Sequence, residues 1–291
     1  MNEINELKTS APVNAYYEKS LERSGLGHHF HCYHELILVR EGSAEFKING
    51  ISMTAEADSL VVISDLEQHE LVMKAVPYNR YVLTITTDLC LLAVSEPILL
   101  SLLMQRPENF NHVIPLGPKL AERLSQCLKK AVRECEQKKA FWETRAAMLA
   151  AEALLLLYRD NSSVFPGQKD TQTVQIVLQV QQDIARNYRE KITLEELAKK
   201  YFISQYYLSR VFKELTGYGF KEYLIRYRIN EAKKLLSYTK LPVTEICFAC
   251  GYQNSDHFIR IFRENQGCSP LQYRKKFKAL KDNFSIPQHQ P

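Results

Sequence analysis

LSRVFKELTG (residues 208–217) and FIRIFRENQG (residues 258–267) are the same short helix written twice, fifty positions apart. Each reads large apolar, x, Arg, aliphatic, Phe, basic, Glu, x, x, Gly, and each Gly is followed six places on by a Tyr, at Tyr223 and Tyr273. In the first copy Leu208, Val211, Phe212 and Leu215 stand at i, i+3, i+4 and i+7, one apolar stripe on a helix; Phe258, Ile261 and Phe262 repeat its first three members. The opposite face is polar and basic: Tyr206, Ser209, Arg210 and Lys213 in the first copy, His257, Arg260 and Arg263 in the second.

The surroundings of the two copies also match. Each follows a short helical stretch, TLEELAKKY or VTEICFAC, and a tight turn. Thr193 with Glu196 has the spacing of a capping box, and Ser204 and Asn254 are good N-caps for the repeated helices. Short helix, turn and a second helix with a polar outer face is the helix-turn-helix arrangement. Residues 220–238 between the units are long enough for one connecting helix of about 28 Å at 1.5 Å per residue, which would set the repeated helices about one turn of duplex DNA apart. Arg210 and Arg260 occupy equivalent outward positions, and an Arg can donate two hydrogen bonds to guanine. Lys221, Arg226, Arg228 and the run Arg274, Lys275, Lys276 are expected at phosphates.

Charge separates the two parts of the chain. Residues 170–291 hold 20 Lys and Arg against 12 Asp and Glu, a net of +8, which leaves 18 against 21, a net of −3, for residues 1–169. A basic C-terminal part suggests a polyanionic partner for that part alone. The N-terminus lacks the basic and apolar regions of a signal peptide, and no apolar run reaches the ~18–20 residues that span a bilayer, so a cytoplasmic chain without membrane contact is expected. Seven cysteines show no framework spacing; CFAC at 247–250 has no second pair to complete a zinc site and reads as two small buried residues one helical turn apart.

Residues 28–86 read as short strands with turns between them, including Asn49–Gly50; the period becomes helical between about 88 and 158, where Leu120, Leu124, Leu128, Ala131, Val132 and Cys135 form a stripe. The polar stretch 159–173 reads as a linker. The expected fold class is therefore α+β: a barrel over 1–87, a helical region over 88–158, and an all-α region of two helix-turn-helix units over 174–281.

Residues 174–278 resemble the DNA-binding domain of the AraC/XylS family of transcription regulators. EICFACGYQNSDHFIRIFRENQGCSPLQYRKKF follows the family signature down to Gly251, Phe258, Arg260, Phe262, Gly267, Pro270, Tyr273 and Arg274. The resemblance implies base contacts from Tyr206, Ser209 and Arg210 in the first unit and from Ser255, Asp256, His257 and Arg260 in the second, with Lys213 as a further DNA-binding residue. Asp256 departs in kind: a carboxylate could accept from cytosine N4 or serve as an N-terminal helix charge. The resemblance also implies double-stranded DNA and RNA polymerase as partners, a role as activator, and a homodimer formed through 88–158. The competing reading of 88–158 is that its helices only pack on the barrel.

Five of the eight histidines fall between 28 and 69. On a strand, His29, His31, Tyr33 and Glu35 share a face with Ile37 and Val39, leaving His28 and His34 exposed or on the other face. His-x-His-x3-Glu, with Gly42 following and His69 farther on, resembles the first motif of metal-binding cupin barrels, while the second motif lacks its usual glycines and proline. AraC-type sensor domains are cupin-like and commonly bind an organic effector, often a sugar, without a metal cofactor. His29, His31, Tyr33, Glu35 and His69 are thus expected to line an effector pocket. The alternative makes His29, His31, Glu35 and His69 the ligands of a metal-dependent enzyme or metal sensor fused to a DNA-binding region.

Overall fold

The computed structural model describes residues 11–107, 109–166 and 171–283. Its first half is one antiparallel sheet of seven strands: β1 (Val13–Ser20), β2 (Gly25–His29), β3 (His34–Ile48), β4 (Ile51–Ala55), β5 (Ser59–Ile63), β6 (His69–Ile85) and β7 (Val113–Pro115). Two long strands organise it. β6 pairs with β3 along its whole length, with β2 at its start and with β1 at its end. β3 in turn pairs with β5 through its first half and β4 through its second.

The mixed α+β class is as expected, but the barrel is not closed. The strand path runs β1–β6–β3–β5–β7, and no pairing among the described residues joins its two ends. The β3–β6 ladder shifts register between Val39 and Ala44, where Gly42 adopts a positive φ of 76° and lets the sheet bend. A Cβ at Gly42 would stand 2.4 Å from the Pro77 carbonyl oxygen. The Asn49–Gly50 turn forms as read: both residues have positive φ, and Ile48 pairs directly with Ile51.

The bend buries both faces of β3. Ile37 and Val39 pack with Val61, Ile63 and Val82 inside the curved sheet, and Glu35 stands opposite Ile63 on the neighbouring strand at the end of this interior. Leu36 and Leu38 join Leu60, Val62 and Leu83 against the helices. Those helices are α1 (Thr87–Ala93), α2 (Pro97–Met104), α3 (Pro118–Gln137) and α4 (Trp142–Asp160). The stripe on α3 that includes Leu120, Leu124 and Leu128 is buried within the chain, where α3 packs on α4 and β1. Any second copy would therefore meet other faces of these helices.

The expected linker is partly ordered structure. α4 runs to Asp160, a 3-10 turn spans Ser162–Val164, Phe165 is buried, and the Pro166 carbonyl accepts a hydrogen bond from Ser101 Oγ at 3.2 Å. Residues 167–170 lie outside the described residues. Beyond them come α5 (Thr171–Asn187), α6 (Leu194–Lys200), α7 (Gln205–Thr216), α8 (Phe220–Tyr238), α9 (Val243–Ala249), α10 (Ser255–Gln266) and α11 (Pro270–Asn283). No described helix is long and apolar enough to cross a membrane.

Candidate functional site

The repeated sequence forms two helix-turn-helix units, α6–α7 and α9–α10, joined by the single helix α8. Local chemistry starts each helix where the spacing indicates. Thr193 and Glu196 make both bonds of a capping box at α6; Ser204 Oγ accepts from the Tyr207 N–H at 3.1 Å, and Asn254 Oδ1 from the His257 N–H at 2.9 Å. Gly217 and Gly267 end α7 and α10 in the left-handed conformation. Inside the units Leu208, Phe212, Phe258 and Phe262 are fully buried, while Cys247 and Cys250 are small core residues. Gly251 turns at φ 79° so close to helix α5's end that a Cβ would stand 2.7 Å from the carbonyl oxygens of Tyr188 and Arg189.

The outer faces carry the polar residues named from the sequence. Tyr206 is 81% exposed, and Ser209, Arg210 and Lys213 are exposed beside it; Asp256, His257 and Arg260 are exposed on α10, with Ser255 half-buried. Each equivalent Arg rests on a Glu one turn ahead, Arg260 on Glu264 at 2.9 Å and Arg210 near Glu214 at 4.0 Å. Such exposed pairs are weak, so either guanidinium can leave for a stronger acceptor.

Three of the cations expected at phosphates are engaged elsewhere. Arg228 donates to the carbonyls of Tyr188 and Glu190, Arg274 to those of Leu236 and Leu241, and Arg226 to Glu222 and to the Leu66 carbonyl in the sheet region. Arg228 and Arg274 tie helices together because a guanidinium close to a helix C-terminus finds carbonyls without intrahelical partners, whereas Arg226 ties its helix to the sheet region. Lys221, Lys275 and Lys276 are exposed.

α8 is also where the two halves of the chain meet. Tyr223 Oη donates to Asp65 Oδ2 at 2.5 Å and accepts from Gln181, Arg226 bonds Leu66, and Lys233 Nζ donates to the Phe30 carbonyl at 3.0 Å. Just before α8, Tyr218 Oη donates to Asn49 Oδ1 at 2.8 Å. Asp65, Tyr223 and Lys233 are all buried. Sequence reasoning missed these contacts, since nothing in a polar residue's neighbours signals a partner more than a hundred residues away. A cleft of about 460 Å³ opens beside the junction, lined by Asp65, Asp88, Gln181, Tyr223, Tyr227 and Lys234 among others.

The histidine cluster assembles, although not on one uninterrupted strand. β2 ends at His29, which pairs directly with His69 on β6, and the chain then leaves the sheet through residues 30–33. One ligand atom from each of His29, His31 and His69 lies within 4.8 Å of the others. Glu35 Oε2 is 3.2 Å from His31 Nε2 and 3.7 Å from His69 Nε2, and Tyr33 stacks on the His31 ring at 3.8 Å. Burial and then the neighbouring His29 and His31 push the His69 pKa well down, while burial raises that of Glu35 against the pull of His69. His34 faces away, as the parity requires, and is fully buried: its ring meets Thr87 Oγ1 at 3.1 Å and Ser64 Oγ at 3.4 Å. The side chain of His28 lies outside the described residues.

Comparison with known proteins agrees with this architecture. A family model described as a helix-turn-helix domain matches residues 197–276. An uncharacterised HTH-type transcriptional regulator of Escherichia coli K12, YdiP, is 32% identical over 263 residues, covering 87% of this chain and 82% of its own. The chain belongs to the AraC/XylS family of transcription regulators. The regulator is also similar to the HTH-type transcriptional activator RhaS of Shigella dysenteriae, 24% identical over 283 residues, covering 91% of this chain and 94% of RhaS. Among solved structures, ToxT of Vibrio cholerae shares the fold: an apo form of a single-residue ToxT variant aligns with a TM-score of 0.56 at 14% identity over 90% of this chain and 96% of that one. A ToxT structure with bound unsaturated fatty acid aligns at 0.55 and 15% identity, covering 90% and 94%. The regulator is thus a DNA-binding protein with a sheet-based region ahead of two helix-turn-helix units.

Proposed function

We propose that the regulator reads duplex DNA with α7 and α10 together, and activates transcription in response to a small molecule held at the α8 junction. The matched, capped helices with outward Arg210 and Arg260 support the first part. In this reading Tyr206, Ser209, Arg210 and Lys213 face one major-groove segment, and Ser255, Asp256, His257 and Arg260 the next. The 19 residues of α8 span about 28 Å at 1.5 Å per residue, against ~34–36 Å for a turn of duplex. Arg and His reach base edges, Lys213 a phosphate, and Asp256 a cytosine N4 or its own helix terminus.

The effector belongs in the 460 Å³ cleft, whose size suits a metabolite and whose carboxylates, amides and phenols would bond the hydroxyls of a sugar-like ligand. Its walls come from both halves of the chain, so a ligand with different affinity for two arrangements of the junction shifts their populations. The activator role follows the RhaS relatives, which are HTH-type transcriptional activators. RNA polymerase and a second copy complete the proposal by family resemblance; the exposed Phe141 and Met148 at α4 offer apolar surface for the copy. The protein is read as cytoplasmic and non-enzymatic, as expected of a regulator whose target is DNA.

Selection of bound duplexes from a random pool by the full-length protein tests the reading. The expected product is a site with two short motifs about 10–10.5 bp apart. Flat enrichment across sequences, or one isolated motif, would sink it.

A further inference from the structure

We propose that His29, His31 and His69, with Glu35, bind one divalent transition-metal ion, and that the ion tightens the grip of the sheet region on α8. The proposal stands on the geometry of the cluster and goes beyond the DNA-reading function.

The orientation of the rings is the first observation. Nδ1 of His29, His31 and His69 lies 2.8, 3.0 and 2.9 Å from the carbonyl oxygens of Gly27, Tyr33 and Glu67. A carbonyl only accepts, so each Nδ1 carries a proton, and Nε2 is the ring nitrogen through which each histidine would hold a metal. A ligand histidine that donates its other N–H to a carbonyl is the usual outer-shell arrangement of protein metal sites, because it fixes the tautomer and the ring plane.

His69 supplies the second observation. Its Nε2 is buried, has no hydrogen-bond partner, and points toward the shared space 3.7 Å from Glu35 Oε2. A lone-pair nitrogen facing a carboxylate oxygen is repelled by it unless a cation lies between them. A proton can satisfy only one such contact, the His31–Glu35 approach at 3.2 Å. A metal ion satisfies all of them. Three imidazoles and one carboxylate suit Fe, Co, Ni or Zn rather than Mg or Ca.

Binding would also move the chain. Donor atoms ~2.1 Å from one ion stand about 3–3.4 Å apart, so a cluster spread over up to 4.8 Å must close by about 1 Å. The two segments drawn together are those that hold α8. Phe30, between His29 and His31, accepts from Lys233, and Leu66, in the turn before His69, accepts from Arg226 while its N–H bonds the His31 carbonyl. Occupancy is therefore felt at the helix that joins the two DNA-reading units.

The test uses untagged full-length protein, stripped with chelator and titrated with Co²⁺, then Zn²⁺. Wild type should bind one ion per chain with a ligand-field spectrum. His69→Ala and His31→Ala should lose at least about 100-fold in affinity, since loss of outer-shell partners alone costs 10–100-fold. Glu35→Gln keeps the volume of the side chain and should bind more weakly, which guards against an alanine variant that fails to fold. Hydrogen exchange should slow on metal addition in residues 29–33, 64–69 and α8. Absence of stoichiometric binding by folded wild type overturns the site, as does binding that survives all three substitutions. Binding that leaves exchange in α8 unchanged overturns the coupling.

Discussion

Lys233 Nζ donates a hydrogen bond to the carbonyl of Phe30, 3.0 Å away, across 203 positions of sequence. The pair joins the helix between the two DNA-reading units to the segment that carries His29 and His31, and Lys233 is only 4% exposed. A buried charged donor is worth about 1.5–3 kcal/mol, and its loss also leaves the Phe30 carbonyl without this partner. Lys233→Met should lower stability by that amount in urea unfolding. Lys234→Met should cost at most about 0.5 kcal/mol, because Lys234 makes a solvent-facing bond to Glu231 one turn back. Equal losses in the two variants would show that the junction contact is not what holds α8.

Arg260 and Lys213 should fail differently on DNA. Arg260→Ala is expected to cost about 1–3 kcal/mol on the preferred site and to relax choice at one base pair, as a bidentate base contact would. Lys213→Ala should weaken all sequences alike and lower the salt slope of binding by about 0.9, as loss of one phosphate contact does. Binding isotherms across a set of single-base variants and salt concentrations separate the two. A uniform loss for Arg260→Ala would move that residue to the phosphate backbone.

What was legible in the sequence was local. The span of α8, the capping box at Thr193 and the N-caps Ser204 and Asn254 depend on contacts within four residues, and the structure has all of them where the spacing puts them. The histidine cluster was legible for a different reason than supposed. His29 and His31 do not share one strand; they meet because His29 pairs with His69 and the chain turns back at residues 30–33. β1 and β7 carry little sequence signal, since Val13–Ser20 alternates weakly and Val113–Pro115 is too short to show a period. Charge alone points Arg226, Arg228 and Arg274 at phosphates, but it does not show the protein carbonyls to which each of them donates in the structure.

Gly42 and Gly251 are positions where a single methyl group should be costly. Both have positive φ, and a Cβ would fall 2.4 Å from the Pro77 carbonyl at the first and 2.7 Å from those of Tyr188 and Arg189 at the second. The left-handed conformation costs about 1–3 kcal/mol for other residues, before the clash with backbone is added. Gly42→Ala should destabilise the sheet region and Gly251→Ala the second helix-turn-helix unit. Gly50, which also has positive φ but open space around it, should lose only the strain. Thermal unfolding of the three variants checks the order, and a Gly50→Ala protein as unstable as Gly42→Ala would refute the clash argument.

Glu67 carries the sharpest dependence on acid. Its side chain is 1% exposed and receives Arg106 Nε at 2.8 Å, with His112 Nε2 at 3.0 Å. Burial opposes its charge, but the Arg106 guanidinium and His112 together outweigh that and hold the carboxyl well below the usual carboxylate range. Glu67→Gln leaves Arg106 buried without its counter-charge and should cost about 3–5 kcal/mol at neutral pH. The sign with pH follows from the depressed value. The stabilisation is fully present above the unfolded carboxyl pKa of about 4.3 and is lost as pH falls toward the folded value. The stability curves of wild type and Glu67→Gln should therefore run parallel near neutrality and converge in acid. Curves that stay parallel below pH ~4 would mean that the charge of Glu67 contributes nothing, and that the substitution acts through its hydrogen bonds alone.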